Sequence, residues 1–190
     1  MHENQYCTRL NLPDAVTNLD ILTLDDIIPF NISESLVNPE VLSILKSRGF
    51  GIDSVEIFKT GPGNPMLRIH IDDSPYLNGG YVHDDIGKLN WIYGNLDCNM
   101  TWFKERAGNV RKNEVNSFVP YVGFDEEDVE PIANINIGRN AVIQAAIPHT
   151  VINNSDVFWY CLGIHLSYEG FTRVPYQFMV DKLKDYVLPQ

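Results

Sequence analysis

The chain has 190 residues, 44% of them hydrophobic and 21% charged, which is enough for one buried core and is the balance of a soluble globular domain. Acidic side chains outnumber basic ones by 25 to 14, for a formal net charge of −11, and the few Lys and Arg form no cluster that would neutralise a phosphate backbone. Direct nucleic-acid binding is therefore not expected, and neither is membrane insertion, since no apolar run approaches the ~20 residues of a spanning helix. Cys7, Cys98 and Cys161 are an odd number at wide spacing, which suggests neither a disulfide framework nor a zinc knuckle. Free thiols and a chain start without a basic-then-apolar leader pattern lead to the expectation of a cytoplasmic protein.

One domain over residues 1–190 is expected, because no repeat, low-complexity tract or linker divides the chain. Residues 1–52 read as a helical and irregular preamble, 53–170 as a strand-rich core and 171–190 as a closing helix. In the preamble, Asn38-Pro39-Glu40 is a helix start: a capping amide, a proline at the first helical position, then an acid in the first turn. Val41, Leu42, Ile44 and Leu45 supply the apolar stripe and Gly49 the stop.

Residues 54–59 alternate like a strand, Gly61-Pro62-Gly63-Asn64-Pro65 is a loop by composition, and 66–72 form the next strand. Residues 88–93 and 99–104 follow as a pair across the turn Gly94-Asn95-Leu96-Asp97. The stretch 105–130 is polar and acidic, with Asp125-Glu126-Glu127-Asp128, and reads as a solvated loop. Strand character returns at 132–137 and 141–146. Residues 147–152 and 157–166 then flank Asn153-Asn154-Ser155-Asp156, a hairpin turn by residue type. Phe178, Met179, Leu183 and Val187 recur at helical spacing and predict a helix over 176–188. Many short strands with helices at the ends predict a mainly β fold, a sandwich or open barrel with helical support.

The segment Arg68-Ile69-His70-Ile71-Asp72-Asp73 carries the chemistry. Alternate residues of a strand share a face, so His70 and Asp72 project together while Ile69 and Ile71 pack on the other side. An imidazole and a carboxylate side by side supply two cis ligands to a divalent metal. A second His from a distant strand would complete a two-His-one-carboxylate triad with open positions, and His149, in Ile147-Pro148-His149-Thr150-Val151-Ile152-Asn153, is the candidate. Against this stands the plain alternative that His70 and Asp72 are only a hydrogen-bonded pair and His149 a satisfied core histidine. His83, in Tyr81-Val82-His83-Asp84-Asp85, reads as part of a solvated loop, and His165 as a buried, hydrogen-bonded histidine. Trp91, Trp102 and Tyr93 read as core, with Tyr93 also able to line a pocket, and Arg106, Arg111 and Lys112 as surface charges.

Three pieces of the run 58–166 resemble the 2-oxoglutarate/Fe(II)-dependent oxygenase superfamily: Ile69-His70-Ile71-Asp72, Lys88-Leu89-Asn90-Trp91-Ile92-Tyr93, and Pro148-His149-Thr150-Val151-Ile152-Asn153-Asn154-Ser155-Asp156. The likeness is to aspartyl/asparaginyl- and prolyl-hydroxylase-like members, including short versions from tailed bacteriophages. It covers a little over half the chain. It implies a double-stranded β-helix (jelly-roll, cupin-like) over 53–170, Fe(II) at His70, Asp72 and His149, and 2-oxoglutarate as co-substrate.

The chain departs from that pattern at one point. The family places an Arg after the distal His to pair with the far carboxylate of 2-oxoglutarate, and here Val157-Phe158-Trp159-Tyr160-Cys161 contains no basic residue. Lys88 is the first substitute, since lysine serves on an equivalent strand in JmjC-like hydroxylases. His165 is the second and Arg68, which shares parity with His70, the third. Asn90, on the same face as Lys88, adds a hydrogen bond to the expected co-substrate site, with Tyr93 as a further contact. The missing Arg leaves two other functions open: a non-catalytic β-helix binding or virion module, and a cupin-type metalloenzyme that does without 2-oxoglutarate. The substrate would be a peptide or small molecule, and the acidic surface would suit a basic peptide.

Overall fold

In the computed structural model, the described residues are 5–20, 30–31, 33–62, 68–72, 85–107, 112–116, 119–153, 155–172 and 174–189. His83, Arg111, Asn154 and the loop residues Gly63, Asn64 and Pro65, all placed by the sequence in loops or at the surface, lie outside them. The strands are β1 (Cys7–Arg9), β2 (Phe30–Asn31), β3 (Phe50–Thr60), β4 (Ile69–Ile71), β5 (Gly87–Gly94), β6 (Asn99–Glu105), β7 (Lys112–Asn116), β8 (Val119–Phe124), β9 (Val129–Asn136), β10 (Asn140–Gln144), β11 (His149–Ile152), β12 (Trp159–Tyr168) and β13 (Phe171–Thr172). Two helices join them, α1 (Pro39–Ser47) and α2 (Tyr176–Lys182). Among the described residues, no helix is long and apolar enough to cross a membrane. The three cysteines are free and buried.

The strands form two antiparallel sheets. The first runs β1-β10-β5-β12-β3-β2, with β13 added to β12, and the second β7-β8-β4-β11-β6-β9. Strand β5 is buried along almost its whole length because both faces of the first sheet are covered. Leu89, Trp91 and Tyr93 point outward into a core with Val55, Ile57, Leu162 and Ile164 of neighbouring strands, closed by Val41 and Leu45 of α1 and Met179 of α2. Ile92, Ile143, Trp159 and Cys161 point inward against Met100, Trp102 and Val151 of the second sheet. Strand parity thus sorts one sequence into two cores.

Helix α1 has its expected start: the Asn38 side chain accepts from the Glu40 N–H at 2.9 Å, and Pro39 sits in the first turn. Gly49, at φ 85°, ends it in the left-handed region. The closing helix is shorter than 176–188: it stops at Lys182, and a single 3₁₀ turn over Lys184–Tyr186 follows.

Three other expectations are corrected. The preamble is not confined to helix and coil, since β1 pairs with β10 and β2 with β3 at the two edges of the first sheet. The acidic stretch 105–130 is not a loop throughout. It contains the hairpin β7–β8, with a 3₁₀ turn at Glu126–Asp128. The third concerns the two expected hairpins. β5 pairs with β10 and β12, whereas β6 pairs with β11 and β9, so residues 95–98 carry the chain from one sheet to the other. The chain crosses back between β11 and β12. Gly94, at φ 76°, makes the first crossing possible, because a Cβ there would lie 2.0 Å from the Phe158 carbonyl oxygen.

Candidate metal centre

Strands β4 and β11 are antiparallel neighbours in which His149 stands directly opposite His70. Direct opposition puts both imidazoles on one face, and their ring centroids lie 4.7 Å apart. Asp72 follows β4 two residues after His70 and so joins them. Its backbone N–H donates to the Ala145 carbonyl at 3.3 Å, tying the end of β4 to the segment after β10. His70 Nε2 is 3.1 Å from Asp72 Oδ1, and His149 Nε2 is 3.7 Å from Asp72 Oδ2. The three potential ligand atoms all lie within 4.8 Å of one another, and Asp72 and His149 are buried.

Each histidine donates from Nδ1 to a carbonyl two residues earlier, His70 to Arg68 at 2.7 Å and His149 to Ile147 at 2.8 Å. A carbonyl only accepts, so Nδ1 of each ring carries a proton, and Nε2 of each ring is turned toward the carboxylate. Two imidazole nitrogens and a carboxylate oxygen converging on one point are a donor set that a divalent cation can complete. Two cis ligands about 2.1 Å from a shared ion lie about 3.0 Å apart, close to the His70–Asp72 separation. Burial pushes the His149 imidazole down to about 4, against the pull of Asp72, which keeps it in the neutral, ligating form. Burial alone would raise the Asp72 carboxyl, but the Lys88 ammonium outweighs it and holds the group well below the usual carboxylate range. The donor set therefore fits a first-row divalent metal.

Lys88 is 1% exposed and lies on the inner face of the first sheet. Its Nζ donates to Asp72 Oδ2 at 3.1 Å and to Glu56 Oε2 at 2.9 Å. Burial favours the neutral amine, but the two carboxylates outweigh it and the group stays an ammonium. Glu56 comes from β3, on the far side of β12, and Gly163 of β12 pairs with Asn90 on one side and Glu56 on the other. The lysine crosses β12 over this glycine: a Cβ at 163 would sit 2.4 Å from Lys88 Cε. His165 Nε2 approaches the same Glu56 oxygen at 3.7 Å. Burial raises the Glu56 carboxyl, yet Lys88 and His165 together bring it down to about 2.

Asn90 lines the same cavity as the triad and Lys88, and the walls are Phe58, Met100, Val151, Trp159 and Cys161. The cavity is about 20 Å³, room for about one or two waters. Burial pushes the Cys161 thiol up to about 12, so it faces the cavity as a thiol. Buried Asn90 Oδ1 and His165 Nδ1 have no hydrogen-bond partner.

The remaining residues singled out by the sequence fall elsewhere. Tyr93 faces the outer core, where its hydroxyl accepts from the Ala15 N–H at 3.0 Å, so it cannot meet a ligand at the triad. Its odd position on β5 is the reason, since Lys88 and Asn90 occupy the even ones. Arg68 lies at the surface, 3.6 Å from Asp125. Trp91 and Trp102 fill the two cores, donating to the Pro13 and Gln144 carbonyls. Glu56 was not singled out, although its signal was present: in Ser54-Val55-Glu56-Ile57-Phe58 it shares parity with an aromatic rather than with a solvated face.

Compared with known proteins, the chain matches no family model, and no curated protein matches it.

Proposed function

We propose that this protein is a double-stranded β-helix oxygenase that holds one Fe(II) through His70, Asp72 and His149 and uses 2-oxoglutarate to hydroxylate a C–H bond of a peptide or small molecule. The observation that carries the reading is the convergence of these three donors, two of them with Nε2 presented by a carbonyl-bound Nδ1. The β-helix is supported by strand order, since β3, β4, β5 and β6 alternate between the sheets, as do β10, β11 and β12. Bound iron would couple oxidation of the co-substrate to oxidation of the substrate. The chain's own residues do the rest. His70, Asp72 and His149 would hold the ion, and the cavity they line with Lys88 and Asn90 would admit its further ligands. Lys88 holds Asp72 in place and is the buried cation nearest an incoming carboxylate. Phe58, Met100, Val151 and Trp159 keep the open side apolar and exclude bulk water.

The decisive experiment combines metal analysis with succinate release from 2-oxoglutarate in air, for wild type and Asp72→Ala. Stoichiometric iron and iron-dependent succinate, both lost in the variant, are the expected result. One observation favours a second reading, a metalloenzyme of the same site that does without 2-oxoglutarate: Lys88 already has two carboxylate partners, and the cavity is too small for a dicarboxylic acid. Bound iron without succinate would select it.

A further inference from the structure

We infer that Glu56 is a built-in competitor for Lys88, so that a carboxylate ligand enters the inner end of the site only by taking the place of Glu56 on the ammonium. The inference rests on reading the site as one that accepts an anionic co-substrate.

Charge and space both lead to it. The inner end holds one lysine and two carboxylates, all buried, with Lys88 within hydrogen-bond distance of both. A metal ion at the triad would take Asp72 as its ligand and leave Glu56 as the chief partner of Lys88. A further carboxylate placed beside an intact Lys88–Glu56 pair would find the ammonium already neutralised and would be repelled by Glu56 at close range, in a medium where such repulsion is poorly screened. The cavity of about 20 Å³ has no room for it either. If Glu56 gives way, both problems are relieved together. The carboxylate has somewhere to go, because His165 Nε2 lies 3.7 Å from the oxygen that Lys88 now holds. The space vacated is bordered by Gly163, whose missing side chain keeps the passage over β12 open. No charge-free packing argument explains an acid at this position. Phe58, its neighbour on the same face of β3, shows that the inner surface otherwise accepts an apolar side chain.

The test uses protein loaded with Zn(II), which is diamagnetic and supports no turnover. Wild type, Glu56→Gln and the double variant Glu56→Gln/Lys88→Met are titrated calorimetrically with 2-oxoglutarate and, separately, with acetate. Glu56→Gln is expected to bind 2-oxoglutarate tighter than wild type by about ten-fold or more and to gain acetate binding, both gains vanishing in the double variant. Unchanged or weaker binding of both anions by metal-loaded Glu56→Gln overturns the proposal, as does a gain that survives loss of Lys88. Acetate binding gained in the variant, with 2-oxoglutarate bound by neither protein, upholds the role of Glu56 and sinks the co-substrate reading instead. Should Glu56→Gln fail to fold, the ¹⁵N signal of the Lys88 ammonium in zinc-loaded wild type decides. A shift on adding 2-oxoglutarate supports displacement of Glu56, and an unmoved signal overturns it.

Discussion

The two faces of the first sheet are built from the same strands and obey opposite rules. On the outer face Val55, Ile57, Leu89, Trp91, Leu162 and Ile164 meet the helices through apolar contact. On the inner face, one residue away along each strand, stand Glu56, Lys88, Asn90 and His165, all buried. Buried charges lose several kcal/mol of hydration each, and the pairing of Lys88 with two acids offsets only part of it. Among the described residues, three buried polar atoms of this face, Thr60 Oγ1, Asn90 Oδ1 and His165 Nδ1, have no hydrogen-bond partner. The difference teaches that the outer face is built for packing alone, while the inner face, apolar at Ile92, Ile143, Trp159 and Cys161, carries beside them a charge pattern that packing alone would not select.

The comparison breaks first if the outer face proves dispensable. Trp91→Ala removes a fully buried ring and is expected to destabilise the protein by roughly 3–5 kcal/mol in urea unfolding, leaving metal stoichiometry of the folded fraction unchanged. The inner region should respond the other way around. His149→Ala is expected to lower iron affinity by about a hundredfold or more while the metal-free melting temperature barely moves, measured by metal competition and calorimetry. A collapse of the fold in that variant would erase the distinction between the faces.

Smaller effects sharpen it. Gly163→Ala forces a methyl against Lys88 and should cost roughly 1–3 kcal/mol. Replacing Lys88 by Ala as well should relieve the clash, so the double-mutant cycle should show coupling between two residues that are far apart in the chain. A further effect is in acid. Glu56 titrates at about 2 in the fold against 4.5 for a free side chain, so its contribution is complete above about pH 4.5 and is lost as the pH falls toward 2. Glu56→Gln should flatten that limb of the stability curve, and an unchanged acid limb would remove Glu56 from the ionic cluster.

How much of this was legible follows from which signals are local. Parity within a strand put His70 beside Asp72 and Lys88 beside Asn90, because side-chain direction depends only on counting by two. The same count set Tyr93 on the opposite face from Lys88, and only its proposed contact with a ligand required otherwise. Pairing was not legible. Gly94-Asn95-Leu96-Asp97 and Asn153-Asn154-Ser155-Asp156 have the composition of tight reversals, but composition reports that the chain turns, not which sheet it turns into. The strands β7 and β8 were hidden by Asn and Glu residues and by Pro120, which suit an edge hairpin as well as a loop. Glu56 escaped because an acid in an alternating strand normally marks the solvated face, and here both faces are covered.

The direct pairing of His70 with His149 has a consequence for the fold itself. Strand β4 is only three residues long, so few ladder bonds pin its alignment with β11. A slip of one residue would turn His70 to the opposite face and bring an isoleucine to the metal position. An ion that binds only the correct alignment would stabilise it by mass action. The ion would then serve as a proofreader of strand register, reinforcing the β11 side, where one residue pair sets the alignment, while β8 pairs all three residues of β4 on the other.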